Sequence, residues 1–284
     1  MSLFSKVETA PRDPILGLNE QFNADTNPAK VNLGVGVYFD DNGKLPLLRC
    51  VQAAEHTMAQ APKARGYLPI DGIVAYDTGV KNLVFGANSD VVTSGRVATV
   101  QAIGGTGGLK IGADFLKKIS PDAKVLISDP SWENHRALFT NAGFVVENYR
   151  YYDAATRGID FAGMLSDLNA APAGTIVLLH ACCHNPTGYD ITPAQWDQVV
   201  EVCKAKNLTP FLDMAYQGFG YGLEEDGQAV AKFVAAGLQF FVSTSFSKSF
   251  SLYGERVGAL SVVGADKAET DRVLSQLKIV IRTN

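Results

Sequence analysis

The sequence predicts an α/β fold: one largely parallel sheet with helices covering both faces. Seven apolar runs between residues 97 and 263 have strand character, and most are separated by stretches of helical periodicity. Residues 175–180, Thr-Ile-Val-Leu-Leu-His, are apolar almost throughout, as in a strand buried on both faces. Polar residues recur at the carboxyl ends of the runs: Thr106, Trp132, Asn185, Asp213, Tyr216 and Lys248. Ligands of open α/β sheets bind at that edge.

The chain has 284 residues, room for one large domain or two ordinary ones, and its 46% hydrophobic content predicts a sizeable core. A net charge of -4 and the lack of a basic stripe argue against a nucleic-acid partner. No apolar stretch approaches the ~20 residues of a membrane span, and residues 1–8 lack the apolar core of a secretory signal. Cys50, Cys182, Cys183 and Cys203 do not read as a disulfide framework in a chain this long. A cytoplasmic protein is expected.

Residues 11–30 are polar, with Pro11, Pro14 and Pro28, and read as an arm with a short helix over 15–24. An arm of this kind packs on another body, often a second subunit. Residues 31–38 alternate apolar residues and glycine, which fits either a short strand approached by a ligand or a simple bend. Helices are expected over 48–60, with Leu48, Val51, Ala54 and Met58 on one face, and more weakly over 76–85. The first strand, 97–103, runs into Gly104-Gly105-Thr106-Gly107-Gly108 and a helix with Leu109, Ala113 and Leu116 on one face. Such a turn offers free N–H groups and a positive dipole end to an anion, although glycines also suit a generic tight turn. The spacing matches neither the dinucleotide nor the Walker fingerprint.

Strands over 124–130 and 144–152 flank a helix that begins at 131, with Ser131 as its cap. Trp132 at the strand edge either stacks on a flat ring or packs in the core. Asp160 caps a helix over 160–171. The 175–180 strand ends in His180, Cys182, Cys183 and His184. These suggest a metal, but neighbouring strand residues point to opposite faces, so the set does not converge and no metal is expected. Thr192 and Pro193 start a helix that buries Trp196, Val199, Val200 and Cys203. Asp213 interrupts the apolar run 210–216. A buried carboxylate is costly unless paired, so it meets either backbone N–H groups or a cationic ring nitrogen. A short helix over 229–236, strands over 240–247 and 257–263, and a helix over 265–284 with Val273, Leu277 and Val280 on one face complete the chain.

The strand over 240–247 delivers Lys248 among serines, with Arg256 eight positions on. Such a lysine is either a solvated surface residue or a desolvated amine whose lowered pKa frees it as a nucleophile. Hydroxyls and an arginine beside it suit a phosphate. An amine next to a phosphate pocket is what pyridoxal phosphate (PLP) requires.

Six stretches together resemble the class I, fold type I PLP-dependent aminotransferases, in their aspartate/aromatic amino-acid branch. They are 32–38 (Asn-Leu-Gly-Val-Gly-Val-Tyr), 104–107, 131–135 (Ser-Trp-Glu-Asn-His), 182–188 (Cys-Cys-His-Asn-Pro-Thr-Gly), 213–219 and 245–258. The resemblance spans nearly the whole chain, and its wording is most like the bacterial aromatic (tyrosine) enzymes. It implies a three-layer αβα large domain over 45–284, with a mostly parallel seven-stranded sheet and the PLP site, and an arm with a small-domain segment over 1–44.

The resemblance also implies roles. Lys248 carries PLP as a Schiff base and moves the substrate proton. Asp213, supported by His135, pairs with the pyridine nitrogen. Tyr216 and Asn185 bond the ring's O3′, and Trp132 stacks on the ring. Gly105, Thr106, Ser245, Ser247 and Arg256 hold the phosphate, with Gly104 beside them. Gly36 and Asn185 face the substrate α-carboxylate, next to Trp132. Tyr67 reaches the neighbouring subunit's phosphate, and Arg282 binds a dicarboxylic side chain across the interface, so a homodimer is implied. The reaction is amino transfer from an aromatic or acidic amino acid to 2-oxoglutarate. Family members continue beyond the position of Asn284, and the arginine that grips the α-carboxylate matches no residue here, which implies a C-terminally truncated chain with weakened amino-acid binding. The alternatives are a lyase or decarboxylase on the same fold, or an impaired PLP-binding chain.

Overall fold

The structure, a computed structural model, describes residues 2–11, 16–32, 34 and 36–284. The chain forms two compact units, Met1–Leu47 and Leu48–Asn284.

In the first unit, helix α1 spans Leu16–Ala24. The expected start at Ile15 and positions 33 and 35 lie outside the described residues. Of the two readings of 31–38, the described positions fit the bend: Gly34 lies in a bend and no strand forms there. The Asn32 side chain offers a local alternative to pairing: its amide donates to Asn19 Oδ1 at 2.8 Å, and its Oδ1 accepts from Gly34 N at 2.9 Å.

The second unit begins with helices α2 (Arg49–Gln60), α3 (Val74–Phe85) and α4 (Asp90–Thr93), then strand β1 (Val97–Ile103) and helix α5 (Gly104–Ile119). Strand β2 (Lys124–Asp129), helix α6 (Glu133–Asn141) and strand β3 (Val145–Arg150) follow, with a small hairpin of β4 (Tyr152–Asp153) and β5 (Gly158–Ile159). Helix α7 (Phe161–Ala170), strand β6 (Ile176–His180), helix α8 (Pro193–Ala205) and strand β7 (Thr209–Met214) come next. The chain ends with helices α9 (Leu223–Asp226) and α10 (Gln228–Ala235), strands β8 (Phe240–Ser245) and β9 (Val257–Val263), and helix α11 (Lys267–Arg282).

Seven strands form one sheet in the order β1-β9-β8-β7-β6-β2-β3. The pairs from β8 through β7, β6 and β2 to β3 are parallel, and β9 is antiparallel to both its neighbours. Period-two alternation sends the strand residues into two cores: Val177 and Leu179 face one, Ile176 and Leu178 the other. Covering both faces is what makes β6 continuously apolar. Helix α5 lies close on the sheet because its glycines allow it. A Cβ at Gly108 would sit 2.7 Å from the Ala259 carbonyl oxygen, and one at Gly112 would sit 2.5 Å from the Phe211 ring.

Two caps behave differently from each other. Thr192 forms a full capping box with Gln195, as expected. Ser131 does not cap α6: the N-cap position is Trp132, and the Ser131 hydroxyl instead meets His135 Nδ1 at 2.9 Å. Helix α2 buries none of its residues: on its apolar face Leu48 and Val51 are half-buried, and Ala54 and Met58 are exposed. Strand β7 ends at Met214, and Tyr216 sits in the following turn, its carbonyl accepting from Phe219 N. No helix among the described residues is long and apolar enough to cross a membrane.

In the first turn of α3, Asp77 is buried and its Oδ1 has no hydrogen-bond partner. Burial, and then the nearby Asp71 carboxylate, push its pKa up to about 7, with Lys81 opposing. A folded-state value above the unfolded one means stability is lost as pH rises from about 4 to about 7. Asp77→Asn is therefore expected to gain stability from pH 4 upward, levelling off above pH 7 at about 1–3 kcal/mol. Thermal melts of both proteins from pH 4 to pH 8 check this, and a gain that is the same at every pH would refute it.

Candidate active site

Five strand-to-helix or strand-to-turn junctions meet at the carboxyl edge of the sheet. They enclose a cavity of about 140 Å³ lined by Gly105, Thr106, Trp132, His180, Asn185, Asp213, Ala215, Tyr216, Ser245, Ser247, Lys248 and Arg256. Ten of these are residues singled out from the sequence. Parallel pairing explains the convergence: His180 is in register with Asp213 across β6 and β7, and Asp213 with Ser243 across β7 and β8. Neighbouring parallel strands end side by side, so their last residues share one opening.

One end of the cavity is an anion cradle. The first turn of α5 presents N–H groups that have no partner within the helix. Gly104 adopts φ +74, and a Cβ there would lie 2.6 Å from an Arg256 nitrogen. Glycine thus lets the guanidinium pack against the start of the helix. Gly105 likewise faces Ser245, 3.1 Å from where its Cβ would be. Ser243 Oγ donates to the Gly105 carbonyl at 2.9 Å and ties the turn to β8. Arg256 donates to Ser247 Oγ at 3.5 Å and to the Tyr253 carbonyl at 3.2 Å. Buried Ser245 and Ser247 and half-buried Thr106 complete the cradle.

At the other end is buried Asp213, whose Oδ2 accepts from His135 Nε2 at 2.8 Å. The fully buried His135 is held in turn by Ser131. Between the two ends, Lys248 Nζ lies 5.0 Å from the centre of the Tyr216 ring. Burial lowers the Lys248 pKa, and Arg256 lowers it further, while the Asp213 carboxylate raises it. Burial raises the Tyr216 pKa, and so does Asp213.

His180 is a lining residue that the sequence reading placed only in a rejected metal set. Both of its ring nitrogens are buried without a partner, and its ring lies 5.0 Å from His135 and 4.2 Å from His184. Burial holds its pKa well below the ordinary histidine value. The signal available in sequence was its place at the last position of a continuously apolar strand. His184 turns away: Ser128 Oγ donates to the Pro130 carbonyl, so His184 Nε2–H donates to Ser128 and its Nδ1 accepts from Thr187. Burial pushes its pKa down to about 4.

The four residues of the rejected metal set therefore do not share one centre. Strand alternation does not hold at Cys183, though. Cys183 has φ +49, outside strand geometry, and the Cys182 and Cys183 sulfurs lie on the same side, with Asp226.

Tyr67 and Arg282 do not line the cavity; both side chains are exposed. Gly36 belongs to the first unit and is exposed there.

The family model described as "Aminotransferase class I and II" matches residues 28–284. An aspartate aminotransferase of Pseudomonas aeruginosa is 67% identical over the whole of this chain, which covers 71% of that protein. A tyrosine aminotransferase of Klebsiella pneumoniae is 51% identical over 99% of the chain and 71% of its own length. Among solved structures, an aromatic-amino-acid aminotransferase of Burkholderia pseudomallei, covalently bound to pyridoxal phosphate, superposes with a TM-score of 0.98 at 66% identity, over 100% of this chain and 71% of that one. With a family model covering nine-tenths of its length and relatives this similar, the chain belongs to the class I and II aminotransferases.

Proposed function

We propose that the cavity binds PLP and that the chain transfers amino groups between an aromatic or acidic L-amino acid and 2-oxoglutarate. The observation that carries this reading is the placing of a desolvated amine, Lys248, between an anion cradle and a buried, histidine-backed carboxylate. The residues fit the cofactor in their donor chemistry. The cradle of Ser245, Ser247, Thr106, Arg256 and the α5 N-terminus suits a phosphate. Asp213 suits a protonated ring nitrogen, and the flat Trp132 side chain supplies an apolar wall.

When bound, PLP supplies an aldehyde for the amino group and a cationic ring that takes up carbanion charge. The protein does the rest. Lys248 Nζ holds and delivers the proton at the substrate carbon, which its lowered pKa favours. Asp213, kept oriented by His135, would pair with the protonated ring nitrogen. Tyr216 and Asn185, both on the cavity wall, would bond the ring hydroxyl. Gly104 shapes the cradle by admitting Arg256.

The substrate α-carboxylate is assigned to Asn185, and a second carboxylate to Arg282. Tyr67 and Arg282 are exposed and outside the cavity, which supports their serving the site of a second copy in a homodimer. The apolar surface of Leu68, Pro69, Ile70, Ile103 and Ile281 around a groove of about 820 Å³ suits such pairing. Leu48–Asn284 would be the cofactor-binding domain and the first unit part of the small domain. The relatives named for aspartate and for tyrosine support both substrate classes.

A spectral titration tests the proposal. PLP is expected to give an absorption band that shifts on adding tyrosine or aspartate and returns on adding 2-oxoglutarate. Ammonia or carbon dioxide released without an oxo-acid acceptor would instead show a lyase or decarboxylase. A band that forms and never shifts would show binding without transfer.

A further inference from the structure

Behind the active-site wall, the turn that follows β6 carries two adjacent cysteines that the amino-transfer chemistry leaves unused. In an extended strand their side chains would point to opposite faces. Here the chain leaves β6 at His180, and Cys183 takes φ +49, so both sulfurs come to one side. The Cys182 sulfur, the Cys183 sulfur and an Asp226 carboxylate oxygen all lie within 4.8 Å of one another. Cys182 and Asp226 are buried, and Cys183 is half-buried. Cys182, Asp190 and Asp226 also line a cavity of about 510 Å³ that provides a way in.

We propose that Cys182, Cys183 and Asp226 form a binding site for a thiophilic divalent cation of the zinc type, separate from the amino-transfer cavity. Metal–sulfur bonds of about 2.3 Å and metal–oxygen bonds of about 2.0–2.2 Å around a tetrahedral centre need ligand atoms roughly 3.4–3.8 Å apart. The ligand atoms, all within 4.8 Å of one another, would draw together to that spacing as the ion binds. Asp226 is already oriented: its Oδ2 accepts from Gly218 N at 2.8 Å and Gly220 N at 2.9 Å, and its Oδ1 from Tyr221 N at 2.9 Å. A carboxylate has about four lone-pair sites, so one remains on Oδ1 for a cation. The fourth coordination position opens toward the cavity, where water completes the set.

The electrostatics favour a cation. The Asp226 carboxylate stands beside the two sulfurs. The Asp190 carboxylate, bonded by Cys183 N at 2.6 Å and His184 N at 2.8 Å, adds negative charge beside them. Each thiol releases its proton to solvent as its metal–sulfur bond forms, and no electron is exchanged. The weak contact of Cys183 Sγ with the Tyr216 carbonyl, at 3.9 Å, is given up. Soft sulfur ligands select zinc-type ions over magnesium or calcium. A bound ion ties the turn that carries Asn185 to the 218–226 loop. The site does not depend on whether PLP binds.

The test is a cadmium titration of the metal-stripped protein under a phosphine reductant, with zinc as competitor. One equivalent of Cd²⁺ is expected to produce the ultraviolet sulfur-to-cadmium charge-transfer band, and Zn²⁺ is expected to bleach it. Cys182→Ser and Cys183→Ser should each weaken binding at least about 10-fold, and the double variant should show no stoichiometric band. Cys50→Ser, which alters the exposed cysteine, should bind like the wild type. Circular dichroism confirms that each variant is folded. A band that survives the double substitution, or one that disappears with Cys50→Ser, overturns the site. So does a wild-type protein that takes up no cadmium. Asp226→Asn should weaken binding about 10–100-fold. Unchanged affinity in that variant would remove the carboxylate from the ligand set, and the cysteine variants decide the site should Asp226→Asn lose its fold.

Discussion

Replacing Lys248 with alanine is expected to lower amino transfer by at least about 10²–10⁴-fold, the contribution of a positioned acid–base group. The amine does two jobs in the proposed function: it attaches the cofactor and it moves the proton. No other residue lining the cavity offers a primary amine; Arg256, the other cationic lining residue, carries a guanidinium. The readout therefore has two parts. In the wild type, borohydride reduction should fix the cofactor to the chain, visible as a mass increase on the peptide containing Lys248. In Lys248→Ala no such increase should appear, and gel filtration should remove the cofactor more readily. Lys248→Arg should fail in the same way, because a guanidinium cannot give up its proton; this separates loss of the free amine from loss of positive charge. Wild-type turnover in Lys248→Ala would remove the lysine from the mechanism.

Asp213→Asn should have the next largest effect. The substitution keeps the shape and still lets the side chain accept from His135 Nε2, so the fold is preserved. It removes the negative charge at the closed end of the cavity. Unpairing a buried ionic partner costs about 3–5 kcal/mol, which corresponds to roughly 10²–10⁴-fold in rate. The phosphate cradle is untouched, so cofactor should still bind while turnover falls. A second readout needs no cofactor. The Asp213 carboxylate raises the Lys248 pKa against the effect of burial. Without it the lysine pKa drops further, so more of the amine is neutral at a given pH. Lys248 of cofactor-free Asp213→Asn should then react faster with an amine-directed reagent at neutral pH than Lys248 of the wild type. An unchanged labelling rate would show that the two groups do not interact.

Much of the site was legible because strand ends announce themselves. A continuous apolar run that stops at a polar turn marks the carboxyl edge of a buried strand, and that rule pointed to the turns carrying Thr106, Asn185 and Lys248, whereas Asp213 stood out as a carboxylate inside an apolar run. The capping signals at Asp160 and Thr192 were also readable, since each acts on amide groups a few residues away. Ser131 misled, because its hydroxyl is claimed by His135 rather than by the helix start, and the His135 ring is held there by Asp213 on β7. His180 was undervalued for a similar reason. Its importance comes from its register with Asp213 on the next strand, and the two are 33 residues apart in the chain.

The sequence by itself determined the strand–helix alternation, the two-faced burial of the sheet and the residue types at its ligand edge. These follow from local periodicity and from the chemistry each side chain carries wherever it lies. Only the tertiary structure decided which of those residues meet. Strand order brought Lys248, Asp213 and the α5 glycine turn into one small cavity, and it left Tyr67 and Arg282 outside it. The left-handed backbone at Cys183 turned two cysteines to one side where alternation alone would have parted them. The physical reason is the same in each case: periodicity is a property of a few neighbouring residues, whereas a site is set by register, crossover and backbone handedness over the whole domain.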